Sequence, residues 1–161
     1  MPGIDVRRVR AEEWEVLRDT RLRALADAPD AFGTTYAEAL ARPEVWWQDW
    51  ARRSATGGDQ AMFLAWERGA AVGIVGVFRE DGRVYVISMW TDPGSRGRGV
   101  GRTLLDAAVA FAGDVEIRLS VTETNAAARR LYERYGFAPT GHTEPFRSNP
   151  SLLVHELELR R

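Results

Sequence analysis

Residues 84–112 read VYVISMWTDPGSRGRGVGRTLLDAAVAFA, and this stretch decides the fold. An apolar, β-rich run (VYVISMW) enters a loop, and the loop opens a helix whose Val100, Leu104, Leu105, Ala108 and Phe111 share one face. The first backbone N–H groups of a helix have no internal partners and carry part of the helix dipole, so anions collect there. Gly97, Gly99 and Gly101 remove the Cβ atoms that would hold a phosphate off the backbone, and Arg96, Arg98 and Arg102 add positive charge around the same turn. A pyrophosphate needs this combination. Glycine spacing by itself describes a tight turn with solvated arginines equally well. Two familiar phosphate loops do not fit. A Walker loop needs Gly-Lys-Ser/Thr, and the chain has no lysine. A Rossmann fingerprint counted from Gly97 would need glycine where Arg102 stands.

Working outward, three apolar, β-rich runs precede the helix, at 61–67, 70–79 and 83–90. They are separated by Arg68-Gly69 and Glu80-Asp81-Gly82, which read as hairpin turns. Residues 4–9 alternate apolar and polar, as in a half-buried strand. A helix runs from Glu12 to just before Pro29, and a second covers 43–53 with Pro43 in its first turn. Downstream follow a strand at 116–121, a helix at 126–135 closed by Gly136, and strands at 140–146 and 152–159. The order β-α-α-β-β-β-α-β-α-β-β predicts an α/β fold: a central mixed sheet with helices on both faces, in one domain spanning 1–161.

Composition narrows the function. The 161 residues are 45% hydrophobic and 28% charged with a formal net charge of −1, so the chain as a whole calls for neither a nucleic-acid nor a membrane partner. It has no cysteine, which removes disulfides, thiolate metal sites and a cysteine nucleophile, and fits a reducing cytoplasm, the expected location. The opening MPGIDVRRVR is charged and lacks the apolar core of a signal peptide. No metal is expected.

A second constellation lies in 121–137, VTETNAAARRLYERYGF. Asn125 and Tyr132 are two helical turns apart and so nearly share a face. Singly, Asn125 reads as a helix N-cap and Tyr132 as an amphipathic core residue. Together with Arg96-Gly97-Arg98-Gly99-Val100-Gly101, which fits Arg/Gln-x-x-Gly-x-Gly/Ala, and with Asn125…Leu131-Tyr132…Gly136-Phe137, the chain resembles the GNAT superfamily of acyl-CoA N-acyltransferases. The resemblance covers nearly the whole chain in element order and is most specific over 84–137. It implies acetyl-CoA as co-substrate, with 97–101, Arg102 and Thr103 cradling the pyrophosphate. It implies that Met89, Trp90 and Thr91 meet the pantetheine arm and acetyl carbonyl through their backbone. It assigns Asn125 to the pantetheine region and Tyr132 to the thiol sulfur. A phenol stays protonated at neutral pH and can give its proton to a departing thiolate.

No general base is assigned. Residues 84–90 hold no acid, Glu123 and Asp92 read as solvated or capping carboxylates, and His142 and His155 read as structural. Ordered water can deprotonate the acceptor instead. For the acceptor, a small-molecule or peptide amine, the candidate contacts are Phe32, Tyr36 and Phe146. Trp46, Trp47 and Trp50 read as core. The resemblance also implies a homodimer through the late strands. The rival readings are an acyl-CoA-binding module without turnover and a nucleotide-binding fold unrelated to CoA.

Overall fold

The computed structural model describes residues 3–161. Seven strands form one mixed sheet in the order β1-β2-β3-β4-β5-β7-β6: β1 (Asp5–Arg8), β2 (Gln60–Glu67), β3 (Ala70–Glu80), β4 (Arg83–Thr91), β5 (Glu116–Thr122), β6 (Phe137–Phe146) and β7 (Asn149–Leu159). All neighbours are antiparallel except β4 and β5. The two hairpin turns place Arg68 and Asp81 at positive φ (52° and 51°) beside glycines, as tight two-residue connections demand.

Five helices cover the sheet: α1 (Trp14–Asp27), α2 (Tyr36–Leu40), α3 (Glu44–Ala55), α4 (Val100–Ala112) and α5 (Ala126–Tyr135). On one face, Leu104, Leu105 and Ala108 of α4, with Tyr132 of α5, pack on Val75, Val84, Ile117 and Leu119. On the other, Leu17, Ala24 and Leu25 of α1 and Trp47 and Ala51 of α3 pack on Leu64, Ile74 and Trp90. Trp46, Trp47 and Trp50 cluster, Trp46 and Trp47 in a T-shaped pair with centroids 4.8 Å apart and Trp50 tilted against both, so the α3 tryptophans build this second core.

The structure adds one helix, α2, to the expected order. Its start is a capping box: Thr35 Oγ1 accepts from Glu38 N (3.1 Å), and the Glu38 carboxylate accepts from Thr35 N (3.2 Å). Pro43 is the N-cap of α3 rather than part of its first turn. The last two strands begin three residues earlier than expected and form a long hairpin around Arg147-Ser148.

One feature of the sheet sets up the site. β4 and β5 pair over only four positions, from Arg83↔Glu116 to Val86↔Leu119, and then diverge. Beyond that point β4 still pairs with β3, and β5 still pairs with β7 through Thr122. The β4 edge from Ile87 to Thr91 therefore faces an opening. Between Ile74↔Trp90 and Gly76↔Ile87, β4 carries one more residue than β3, a β-bulge, and Ser88 sits there at φ 58°.

Candidate active site

The opening between β4 and β5 leads to a cavity of about 740 Å³. Its wall brings together Met89, Trp90 and Thr91 of β4, the turn residues Arg96, Gly97 and Gly99, Val100, Gly101 and Arg102 at the start of α4, and Asn125, Leu131 and Tyr132 from the α5 side. Two elements that are separate in sequence thus face one space.

The glycines divide their work. Gly97 (φ 78°) and Gly99 (φ 83°) hold left-handed backbone, with open space where a Cβ would point, and Gly99 is the N-cap of α4. They shape the turn that presents the free N–H groups of α4. At Gly101, by contrast, an added Cβ would come within 2.7 Å of Leu131 Cδ2. Its role is the close approach of α4 to α5, which aligns the helix start with Tyr132.

The arginines divide as well. Arg96 lines the cavity and donates to Thr91 O (3.0 Å) and to Asp27 Oδ2 (2.7 Å). The Trp90 indole N–H donates to the same Asp27 oxygen (3.0 Å), and these two donors hold the Asp27 carboxyl below its usual range. Arg102 lines the cavity, its guanidinium 5.3 Å from the Tyr135 ring centroid. Arg98 turns outward into a two-bond pair with Glu67, and the Thr103 hydroxyl bonds back to Gly99 O (2.9 Å); neither lines the cavity. Asp27 at the end of α1 is a wall residue that sequence reasoning missed. It lies on no motif, and its place follows from the packing of α1 on the sheet.

Asn125 caps α5, its Oδ1 accepting from Ala128 N (3.2 Å), and still lines the cavity. Tyr132 is 6% exposed, and burial pushes its phenol above the ordinary tyrosine value. It is therefore neutral and carries a proton throughout the neutral range. Tyr132 also lines a second, narrow space of about 40 Å³, shared with Ala31, Ile87, Ser88, Met89, Ser120 and Asn125. This is the gap left where β4 and β5 part.

Neither local carboxylate is poised as a base. Asp92 caps the turn at 93–95 through Gly94 N (3.2 Å) and pairs with Arg23 (2.7 Å). Glu123 accepts from Leu153 N (3.0 Å). Of the residues expected at the acceptor side, Phe32 is 3% exposed and packs into the second core, Phe146 is buried, and Tyr36 is 42% exposed on α2. The α1–α2 segment and the β6–β7 turn do meet. Ser148 Oγ donates to Phe32 O (3.0 Å), and Arg147 donates to Gly33 O (2.6 Å). Among the described residues, no cluster of three or more His, Asp or Glu is placed to hold a metal ion, and no helix is long and apolar enough to cross a membrane.

A model of the Acetyltransferase (GNAT) family matches residues 15–137. The chain belongs to this family. It is 34% identical over 141 residues to a mycothiol acetyltransferase of Geodermatophilus obscurus, an alignment covering 84% of this chain and 44% of that protein. It thus spans less than half the length of such relatives. The fold matches an acetyltransferase of the GNAT family from Streptococcus pneumoniae at a TM-score of 0.83 and 18% identity, over 97% of this chain and 98% of that one. It also matches the yncA protein from Salmonella typhimurium, solved with its cofactor acetyl-CoA, at a TM-score of 0.74 and 18% identity over 98% and 94% of the two chains.

Proposed function

We propose that the chain transfers the acetyl group of acetyl-CoA to the amine of a small molecule or peptide, with Tyr132 as general acid. The observation that carries this reading is that one cavity is lined both by the helix-start glycines and by a neutral, buried phenol. A phosphate cradle alone fits many ligands, and a buried tyrosine alone is structural. The two in one space fit a ligand with a pyrophosphate at one end and a leaving thiolate at the other.

In this reading the pyrophosphate rests on the N–H groups opening α4, flanked by Arg96 and Arg102. The pantetheine amides pair with the β4 edge that β5 leaves free, as an added strand would. The amine enters through the gap beside Ser88, and its lone pair attacks the thioester carbonyl. A backbone N–H near Trp90 or Thr91 meets the developing oxyanion. The C–S bond then breaks, the Tyr132 hydroxyl gives its proton to the thiolate, and the acetylated amine loses its extra proton to water.

The mycothiol acetyltransferases that this chain resembles do not fix its acceptor, since it spans under half of each. Calorimetric binding of acetyl-CoA against ATP, followed by a thiol-release assay over a panel of primary amines, tests the reading. The expected result is preference for acetyl-CoA and amine-dependent thiol release. Equal binding of ATP, or tight acetyl-CoA binding with no release on any amine, contradicts it.

A further inference from the structure

Arg21, on α1, is the arginine whose surroundings the proposed transfer leaves unexplained. Several arginines of the sheet and site are paired with acids: Arg7 with Glu13, Arg23 with Asp92, Arg83 with Glu116, Arg96 with Asp27, Arg98 with Glu67. Among the described residues, Arg21 pairs with no carboxylate. Its guanidinium lies 4.9 Å from the Phe32 ring centroid and 5.8 Å from that of Trp50, and donates to Ser88 Oγ. The charge acting on it is another cation, Arg42, and desolvation with that repulsion brings its pKa down to about 10. A half-buried cation held between two aromatic rings, with one hydroxyl as side-chain acceptor, is electrostatically incomplete.

Its position gives the missing anion a role. Ser88 is the bulged residue of β4, held at φ 58°, and it lines the narrow gap together with Tyr132. Backbone in the left-handed region is unfavourable for serine and persists only where the surroundings enforce it. Here the bulge turns Ser88 toward α1 and sets the Arg21 guanidinium one hydrogen bond from the gap. An amine crossing that gap toward the thioester carries its own substituents past Ser88.

We infer that the acceptor is an amino acid or a similar amine bearing a free carboxylate, and that Arg21 binds the carboxylate by a forked, charge-assisted pair while the amine reaches into the gap. This rests on the acetyl-transfer reading and names the substrate class for the same site. The arrangement explains why the cation is kept without an acid of the chain: an internal partner would compete with the substrate.

The test uses matched acceptors: a panel of α-amino acids, the carboxamide of each, and the amine left when the carboxylate is removed. Initial rates at saturating acetyl-CoA are compared for the wild type, Arg21→Met and Arg21→Lys, with thermal midpoints alongside. In the wild type, kcat/KM for the preferred acid exceeds that for its carboxamide by about 10- to 100-fold. Arg21→Met brings the acid down to the level of the carboxamide, leaves the carboxamide within about 3-fold, and leaves the KM for acetyl-CoA unchanged. Arg21→Lys recovers part of the preference. An acid no better than its carboxamide in the wild type overturns the inference without needing any variant. So does an Arg21→Met variant that lowers all three acceptor types equally, which is what a purely structural arginine would give. Turnover of amines lacking carboxylates alone leaves acetyl transfer standing and this inference refuted. No turnover of any amine, despite acetyl-CoA binding, refutes the transfer reading itself.

Discussion

Tyr132 answers two demands with one environment. Its ring belongs to the core beside Phe137, at a 6.0 Å centroid distance, while the same side chain lines both the cavity and the β4–β5 gap. Burial raises its pKa, so the proton that the proposed transfer needs is retained. Below the ordinary tyrosine value of 10.0, folded and unfolded chains are both protonated at this position. Above it the unfolded chain ionises first, so this group's contribution to stability falls as pH rises past 10. Thermal midpoints taken from neutral pH to pH 11 should show a fall that Tyr132→Phe reduces. Gly101 is the other decisive residue. Gly101→Ala should cost about 1–3 kcal/mol from the clash with Leu131 and weaken acetyl-CoA binding. Adding Leu131→Ala should recover part of the binding loss, measured by calorimetry of the single and double variants. The sequence reads Gly101 as a phosphate-loop glycine. Its contact with Leu131 was not legible, because it depends on how α5 lies across α4.

At the scale of elements, the start of α4 and the end of β4 make one device. Gly99→Ala should cost about 1–2 kcal/mol, because the N-cap is held at φ 83°. A denaturant titration gives that cost, and the distorted cradle should bind acetyl-CoA less well. At the other end of β4, the strands are held closed by Glu116, which accepts from both Arg83 and Arg118. Hydrogen bonding to Arg83 first, and then to Arg118, takes the Glu116 carboxyl down to about 2 from 4.5. Its contribution is present above pH 4.5 and is lost as pH falls toward 2. The thermal midpoint of the wild type should therefore exceed that of Glu116→Gln at pH 6, with the difference shrinking through this window. The strand-loop-helix of 84–112 was readable because its period changes from two to 3.6 across a glycine turn. Helix α2 was readable in principle, since Thr35 and Glu38 spell a capping box before a short helix. The bulge at Ser88 was not. It arises from the register of β3 against β4, and nothing in VYVISMW marks the extra residue.

For the whole molecule, the sheet separates two packing layers, and the β4–β5 split is where they communicate. The large cavity lies against α4 and α5, and α1, α3 and the β6–β7 turn gather on the side proposed for the acceptor. In the proposed reading the donor half carries its chemistry in local motifs, which made it readable from the sequence. In the same reading the acceptor half is assembled from Arg21, the 29–35 segment and the β6–β7 turn, which come together only through long-range packing. Acetyl-CoA at 100 times its Kd should stabilise the fold by about 2.7 kcal/mol, a rise of roughly 5–10 °C in thermal midpoint. In the proposed transfer the cavity joins a CoA cradle to a proton donor for the departing thiolate. Single-turnover thiol release by wild type and Tyr132→Phe, with acetyl-CoA Kd measured on both, tests it most directly. The expected result is a Kd unchanged within about 3-fold and a rate lowered by about 10²–10⁴-fold in Tyr132→Phe. An unchanged rate at unchanged affinity would contradict it.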